Sequence, residues 1–183
     1  MTILKIDSSI TGENSVSRIL TDRILGELRR ARPAASVVER DLVADPLPHL
    51  TLYAFADTSV LDEFLAADTI VIGAPMYNFT LPTQLKSWLD RILVAGKTFR
   101  YTAEGPEGLA GGRRVIVALA RGGIYVASSP AASLEHLETY LAGVFNFIGI
   151  QPEFVAADGI NLGPQQREDS IRAALGETLK LAA

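Results

Sequence analysis

Five short apolar runs recur along the chain, each followed by a stretch of helical periodicity. The runs lie at residues 3–8 (ILKIDS), 36–40 (SVVER), 69–73 (TIVIG), 114–120 (RVIVALA) and 152–157 (PEFVAA). Short β-branched runs of this kind read as strands, the first of them buried, and 69–73 is the most apolar. After the first, Ile19, Leu20, Ile24, Leu25 and Leu28 fall on one face of a helix that begins near Ser15 and ends before Pro33. A short helix is expected near 60–67. A third runs from Pro82, a residue suited to a first helical turn, through Leu85, Trp88, Leu89 and Ile92 to about residue 95. A fourth is expected at 131–146 and a last one from Pro164 to Leu181. Residues 45–60 carry two prolines and no period, so they read as an irregular connection. Residues 97–112, rich in glycine and aromatics, read as a long loop or hairpin. The order β-α-β-α-β-α-β-α-β-α predicts an α/β fold: one five-stranded parallel, doubly wound sheet covered on both faces.

The 183 residues fit a single domain spanning 1–183. The chain has no cysteine, which removes disulfides, thiolate catalysis and cysteine-ligated clusters. Its two histidines, His49 and His136, are far apart in sequence, so no metal site is expected. Redox chemistry, if present, must belong to an organic cofactor. A net charge of −4 gives no electrostatic reason to bind nucleic acid or an anionic membrane. The clusters Arg29-Arg30-Arg32 and Arg113-Arg114 read as solvated edges. The first residues run straight into a strand without a signal-peptide pattern, and no apolar stretch is long enough to span a bilayer, so a cytoplasmic location is expected.

In a doubly wound sheet, ligands bind beyond the carboxyl ends of the strands. Three strand-to-helix loops there are unusual. The first, Asp7 to Ser17, offers Ser8, Ser9, Thr11, Asn14, Ser15 and Ser17 ahead of a helix N-terminus, where free N–H groups and the helix dipole favour a phosphate. Helix capping also accounts for Ser and Asn in such a place. The loop is neither a Walker loop nor a G-x-G-x-x-G dinucleotide turn. The second, Gly73 to Pro82, puts Met76, Tyr77 and Phe79 at a strand end, where they either pack the core or cover a flat ring. The third, Ala120-Arg121-Gly122-Gly123-Ile124-Tyr125, has paired glycines that permit a tight turn or close backbone approach to a ligand.

Several segments together carry a family resemblance. Ala74-Pro-Met-Tyr-Asn-Phe79, Gln84-Leu-Lys86, Thr98-Phe-Arg-Tyr-Thr102, Gly105-Pro-Glu-Gly-Leu109 and Arg121-Gly-Gly123 resemble the FMN-dependent NADH:azoreductases, which are also quinone reductases. The likeness runs over essentially the whole chain. It implies a flavodoxin-like homodimer with FMN at the subunit interface. It places the FMN phosphate on Ser9 and on Ser15-Val16-Ser17. It places the ring against Met76, Tyr77, Asn78 and Phe79 and against Ala120, Arg121, Gly122 and Gly123. Tyr101 and Phe147 match positions lining the substrate side, the latter contributed by the partner subunit. NADH or NADPH would donate two electrons in a ping-pong cycle, and quinones or azo compounds would accept them. The chain departs from the family pattern at Ala120, where Ser or Thr is usual, at Tyr125, where His often stands, and in a shorter connection after Pro48. These departures bear on substrate range. The alternative is a flavodoxin-type electron carrier. The modest net charge and the aromatic 97–109 segment disfavour it. A phosphorelay receiver is set aside, because Asp7 is alone, Gly73 ends the third strand and no Lys follows the fifth.

Overall fold

The burial pattern of the apolar runs builds the layers, except at the edge run Ser36–Asp41, where no residue is fully buried. A computed structural model describes residues 1–182. The strands β1 (Thr2–Asp7), β2 (Ser36–Asp41), β3 (Thr69–Pro75), β6 (Arg114–Arg121) and β7 (Glu153–Asp158) form one parallel sheet in the order β2-β1-β3-β6-β7. Between β3 and β6 lie β4 (Phe99–Thr102) and β5 (Gly105–Gly108). The helices are α1 (Val16–Ala31), α2 (Ser59–Ala66), α3 (Thr83–Ile92), α4 (Glu138–Phe147) and α5 (Pro164–Thr178).

Alternate strand residues point to opposite faces. On one face Leu4, Ile6, Ile70, Ile72, Val115, Val117 and Leu119 meet Phe64, Leu85, Trp88, Leu89, Leu141 and Phe145 from α2, α3 and α4. On the other, Ile3, Val71, Ile116, Ala118 and Val155 meet Val16, Leu20, Ile24 and Leu28 of α1 and Ala174 of α5. Gly73 faces α1, and a Cβ there would stand 2.8 Å from Asp7 Oδ1, so a larger residue would have to displace that buried carboxylate. On the same face of β1, Lys5 and Asp7 are buried as a charged pair, with Asp22 and Glu39 completing the cluster. Burial alone would lower the Lys5 pKa, but Asp22 and Asp7 hold the ammonium above its usual range.

The 97–112 segment is an antiparallel hairpin, with Phe99 opposite Gly108 and Tyr101 opposite Pro106, outside the main sheet. The fourth helix starts at Glu138, not near 131. Residues Ala132–Leu134 make only a 3-10 turn. The Glu135 carboxylate accepts from the N–H groups of Leu137, Glu138 and Thr139, which fixes the start of α4 there. His136 is therefore not on a helix face. It is exposed, and its N–H donates to the Phe79 carbonyl. The third helix stops at Ile92 because Thr98 Oγ1 donates to the Ile92 carbonyl and accepts from Val94 N–H. Pro82 keeps an extended backbone (ψ 147°) and is its N-cap.

Arg113 is not a solvated edge. Its guanidinium donates to the carbonyls of Leu65 and Ala110 and lies over the Phe64 ring. Arg114 forms a two-pronged pair with Glu153. Leu85, Trp88, Leu89, Ile92, Leu137 and Leu141 are fully buried in the chain's own core.

Candidate functional site

The strand order reverses direction between β1 and β3, and the sheet's carboxyl edge opens there into a cavity of about 340 Å³. Its walls come from the loops after β1, β3, β6 and β7 and from the first turn of α5.

The loop after β1 builds one end. Ser8 Oγ donates to the Gly73 carbonyl, tying this loop to β3, so that hydroxyl is spent inside the protein. Ser9 is buried, and its Oγ lies 3.0 Å from Thr11 Oγ1 and 3.3 Å from the Tyr77 hydroxyl. A 3-10 turn at Gly12–Asn14 leads to Ser15, the N-cap of α1, whose Oγ accepts from Arg18 N–H and contacts Ser17 Oγ at 3.1 Å. The N–H groups of Val16 and Ser17 have no acceptor among the described residues. A helix N-terminus with free N–H groups and neighbouring hydroxyls is a ready anion site. Beneath it, Arg18 donates to the Ser9 carbonyl and to Asp41. That contact with Asp41 holds the guanidinium firmly charged and the Asp41 carboxyl below its ordinary value.

The loop after β3 builds the other end. Met76 N–H donates to the Ala120 carbonyl. Tyr77 and Thr80 then exchange backbone hydrogen bonds (2.9 and 3.2 Å) around a two-residue turn. Its central residues, Asn78 and Phe79, have φ of 47° and 73°, the only non-glycine residues with positive φ among those described. Both central residues left-handed is the type I′ pattern, which usually calls for glycine. Here the turn is held by Thr80 Oγ1 donating to the His136 carbonyl and by His136 N–H donating to Phe79. The Asn78 and Phe79 N–H groups are left without protein acceptors among the described residues. Tyr77 links the two ends, since its hydroxyl accepts from Ile10 N–H at 3.1 Å. Outside the turn, the Phe79 ring meets Tyr125 edge-on at 6.4 Å.

The third wall is a pair of loops zipped together. Ile160 N–H donates to Arg121, Asn161 to Gly122 and Gly159 to Gly123. A Cβ on Gly122 would stand 2.6 Å from Asn161 Nδ2, so the glycine lets the two loops close.

Of the residues expected at a cofactor from the sequence, Ser9, Ser15, Val16, Ser17, Met76, Tyr77, Ala120 and Gly122 line this cavity. Asn78, Phe79 and Gly123 stand just outside its wall. Arg121 does not face it. Its guanidinium is buried in a cage of acids, donating to both oxygens of Asp158 and, at 2.9 Å, to Glu138, with Glu135 at 3.6 Å. Burial opposes its charge, and Asp158 and Glu138 outweigh that. Tyr101 is exposed on the hairpin and touches Phe99, which packs on Phe147 (centroids 5.6 and 4.7 Å). That aromatic group joins Leu93, Tyr140 and Val144 on an apolar surface, and none of it lines the cavity. Sequence reasoning did not single out Ile160, Asn161 or Arg167. The signal was available, because the loop after β7 ends at the same sheet edge as the other three. The lining contains no carboxylate and one charged side chain, Arg167.

A site with free helix N-terminal N–H groups and hydroxyls at one end and Met76 and Tyr77 at the other has the chemistry to take a phosphorylated ring compound. The chain is 54% identical over the full length of both proteins to the "FMN-dependent NADH:quinone oxidoreductase 2" of Bradyrhizobium diazoefficiens, in an alignment of 201 positions. It is 50% identical, again over both full lengths, to the "FMN-dependent NADH:quinone oxidoreductase" of Rhizobium meliloti. An azoreductase from Bacillus anthracis superposes with a TM-score of 0.91 at 33% identity, covering 100% of this chain and 98% of that one. An FMN-dependent NADH-azoreductase of the same organism, solved in complex with FMN, superposes with a TM-score of 0.86 at 27% identity and the same coverage. The family described as Flavodoxin-like fold matches residues 1–181. With the family model matching residues 1–181 and full-length relatives at 50% identity or more, this chain belongs to the Flavodoxin_2 family.

Proposed function

We propose that this protein is an FMN-dependent NADH:quinone oxidoreductase that also reduces azo compounds. The observation that carries the reading is the cavity itself: free N–H groups and hydroxyls at the start of α1, Met76 and Tyr77 opposite, and no carboxylate in the lining to repel a phosphate. Bound FMN supplies reversible two-electron hydride chemistry. The chain supplies position and electrostatics. Ser9, Ser15 and Ser17 with the Val16 and Ser17 N–H groups hold the phosphate. Met76, Tyr77 and Ala120 form the wall along the ring. The unpaired N–H groups of Asn78 and Phe79, on the turn beside the cavity wall, with those of Gly122 and Gly123, would offer donors to the ring's polar edge. Because those donors sit on turns already fixed by hydrogen bonds, they need no rearrangement when charge develops. Donor and acceptor would use the same open face in turn, in a ping-pong cycle.

The apolar surface carrying Tyr101, Tyr140, Val144 and Phe147 is the face on which a second copy would dock, with Phe147 reaching the substrate side of the partner's ring. Quinones and azo compounds would then bind between that surface and the cofactor. No helix among the described residues is long and apolar enough to cross a membrane, in keeping with a cytoplasmic enzyme.

The test is anaerobic titration of the purified protein, followed by its visible absorbance. Flavin absorbance that NADH bleaches in a single two-electron step, and that a quinone restores, is the expected result. Flavin that NADH cannot reduce would instead mark an electron carrier, and failure to bind FMN would sink the reading altogether.

A further inference from the structure

We propose that Arg167 is a phosphate-binding cation for the cofactor in this chain, an inference that rests on the flavin reading above. Three observations converge on it. First, Arg167 is the one charged side chain among the cavity's lining residues, and it is half-buried there. Second, it has no carboxylate within ion-pair distance among the described residues. The other guanidinium beside the phosphate end, Arg18, is matched to Asp41, and Arg121 to Asp158 and Glu138. Third, Arg167 occupies the first turn of α5, a turn that contains no acidic residue. The N-terminal end of a helix carries partial positive charge and disfavours a cation. A cation held there without a counter-ion is electrostatically uphill, unless a ligand anion completes the arrangement.

The geometry says where the anion sits. Arg167 Nη2 donates to the Asn14 carbonyl at 3.1 Å. Asn14 immediately precedes Ser15, the N-cap of α1. That bond pins the guanidinium at the mouth of the α1 N-terminus and leaves its other N–H groups without protein acceptors among the described residues. A phosphate monoester resting on α1 would therefore be met by α1 from one side and by Arg167 from the other.

The measurement is binding of FMN and of riboflavin, which lacks the phosphate, to the cofactor-stripped full chain by quenching of flavin fluorescence. Wild type, R167M and R167K are compared. Methionine keeps the aliphatic stem and removes the charge. R167M is expected to bind FMN roughly ten- to hundredfold more weakly, the worth of one charge-assisted hydrogen-bonded contact, with riboflavin binding unchanged. R167K should recover part of the loss, because a lysine keeps charge without the planar fork. Unchanged FMN affinity in R167M overturns the proposal. So does an equal loss of FMN and riboflavin, which would make Arg167 a mechanical latch between α5 and the loop. If wild type binds neither flavin, the flavin reading itself fails, and the two failures are distinguishable.

Discussion

Replacing Arg121 with Met separates two roles that the sequence alone leaves combined, since Arg-Gly-Gly after a strand reads as a cofactor loop while the guanidinium lies in an acid cage. The side chain is 6% exposed and donates to Asp158 and Glu138, which are 22% and 40% exposed. Removing one partner of a fully buried ionic pair costs ~3–5 kcal/mol. Here the stranded acids reach water in part, so the lower end applies, ~3 kcal/mol. For a chain of this size that is a fall of ~6–12 °C in the unfolding midpoint. Asp158→Asn alone should cost less, because a neutral amide still accepts from the guanidinium. With the guanidinium gone, Asp158→Asn should cost nothing further and should relieve part of the stranded charge. The double variant is thus expected to be more stable than Arg121→Met by ~1 kcal/mol or more. Urea unfolding of the four proteins measures all of this, and FMN affinity at low temperature, where every variant is folded, measures the ligand role. Stability within ~1 kcal/mol of wild type, together with a large loss of FMN affinity, would refute the cage assignment and make Arg121 a direct ligand.

Three further outcomes follow from the packing. Gly108→Ala would drive a Cβ to within 2.1 Å of Gly149 N and 2.2 Å of the Ile148 carbonyl carbon, so the hairpin must lift from the end of α4; urea unfolding should show a loss of ~2–3 kcal/mol or more. Glu135→Gln weakens the cap of α4 by ~1 kcal/mol. Burial opposes the Glu135 charge, but the N–H groups of Glu138, Thr139 and Leu137 lower its folded pKa, so its stabilisation is present above the ordinary carboxylate range and lost as pH falls through the folded value; the variant should lose less stability than wild type over that acid window. Tyr77→Phe removes the hydroxyl that receives Ile10 N–H and contacts Ser9, and calorimetric titration should find FMN binding weakened several-fold with ~1 kcal/mol of stability lost.

The layering was legible because it depends on local patterns. Apolar alternation places Leu4 and Ile6 on one face and Ile3 on the other, and Ser15 caps α1 as its side chain predicts. What escaped depends on partners distant in sequence. Arg121 is adjacent to two glycines in the chain, but its direction is set by Asp158 across β6 and β7, a register that no local pattern encodes. The late start of α4 depends on the Glu135 side chain turning back onto the following N–H groups, a choice between competing caps. Arg167 was hidden for a different reason. A basic residue after Gly-Pro-Gln-Gln is unremarkable in a surface helix, and its meaning appears only when α5 is laid beside Asn14, more than 150 positions earlier.

These same details explain how an acidic chain could retain a phosphate. The net charge of −4 gives no general attraction. The buried basic side chains around the site are instead spent on acids outside its lining: Lys5 on Asp7 and Asp22, Arg18 on Asp41, Arg121 on Asp158 and Glu138. Each cluster fixes a strand end or loop, and none of its carboxylates lines the cavity. What remains unmatched there is uniformly positive: the free N–H groups of α1 and the guanidinium of Arg167. Selection for a phosphate then needs no basic patch, only the absence of acids from the lining and one cation that the protein itself does not satisfy. A carboxylate placed into that lining, as in Asn161→Asp, should therefore weaken FMN more than riboflavin, although Asn161 itself forms no bond to Arg167. A loss equal for both ligands would show that the local field does not discriminate the phosphate.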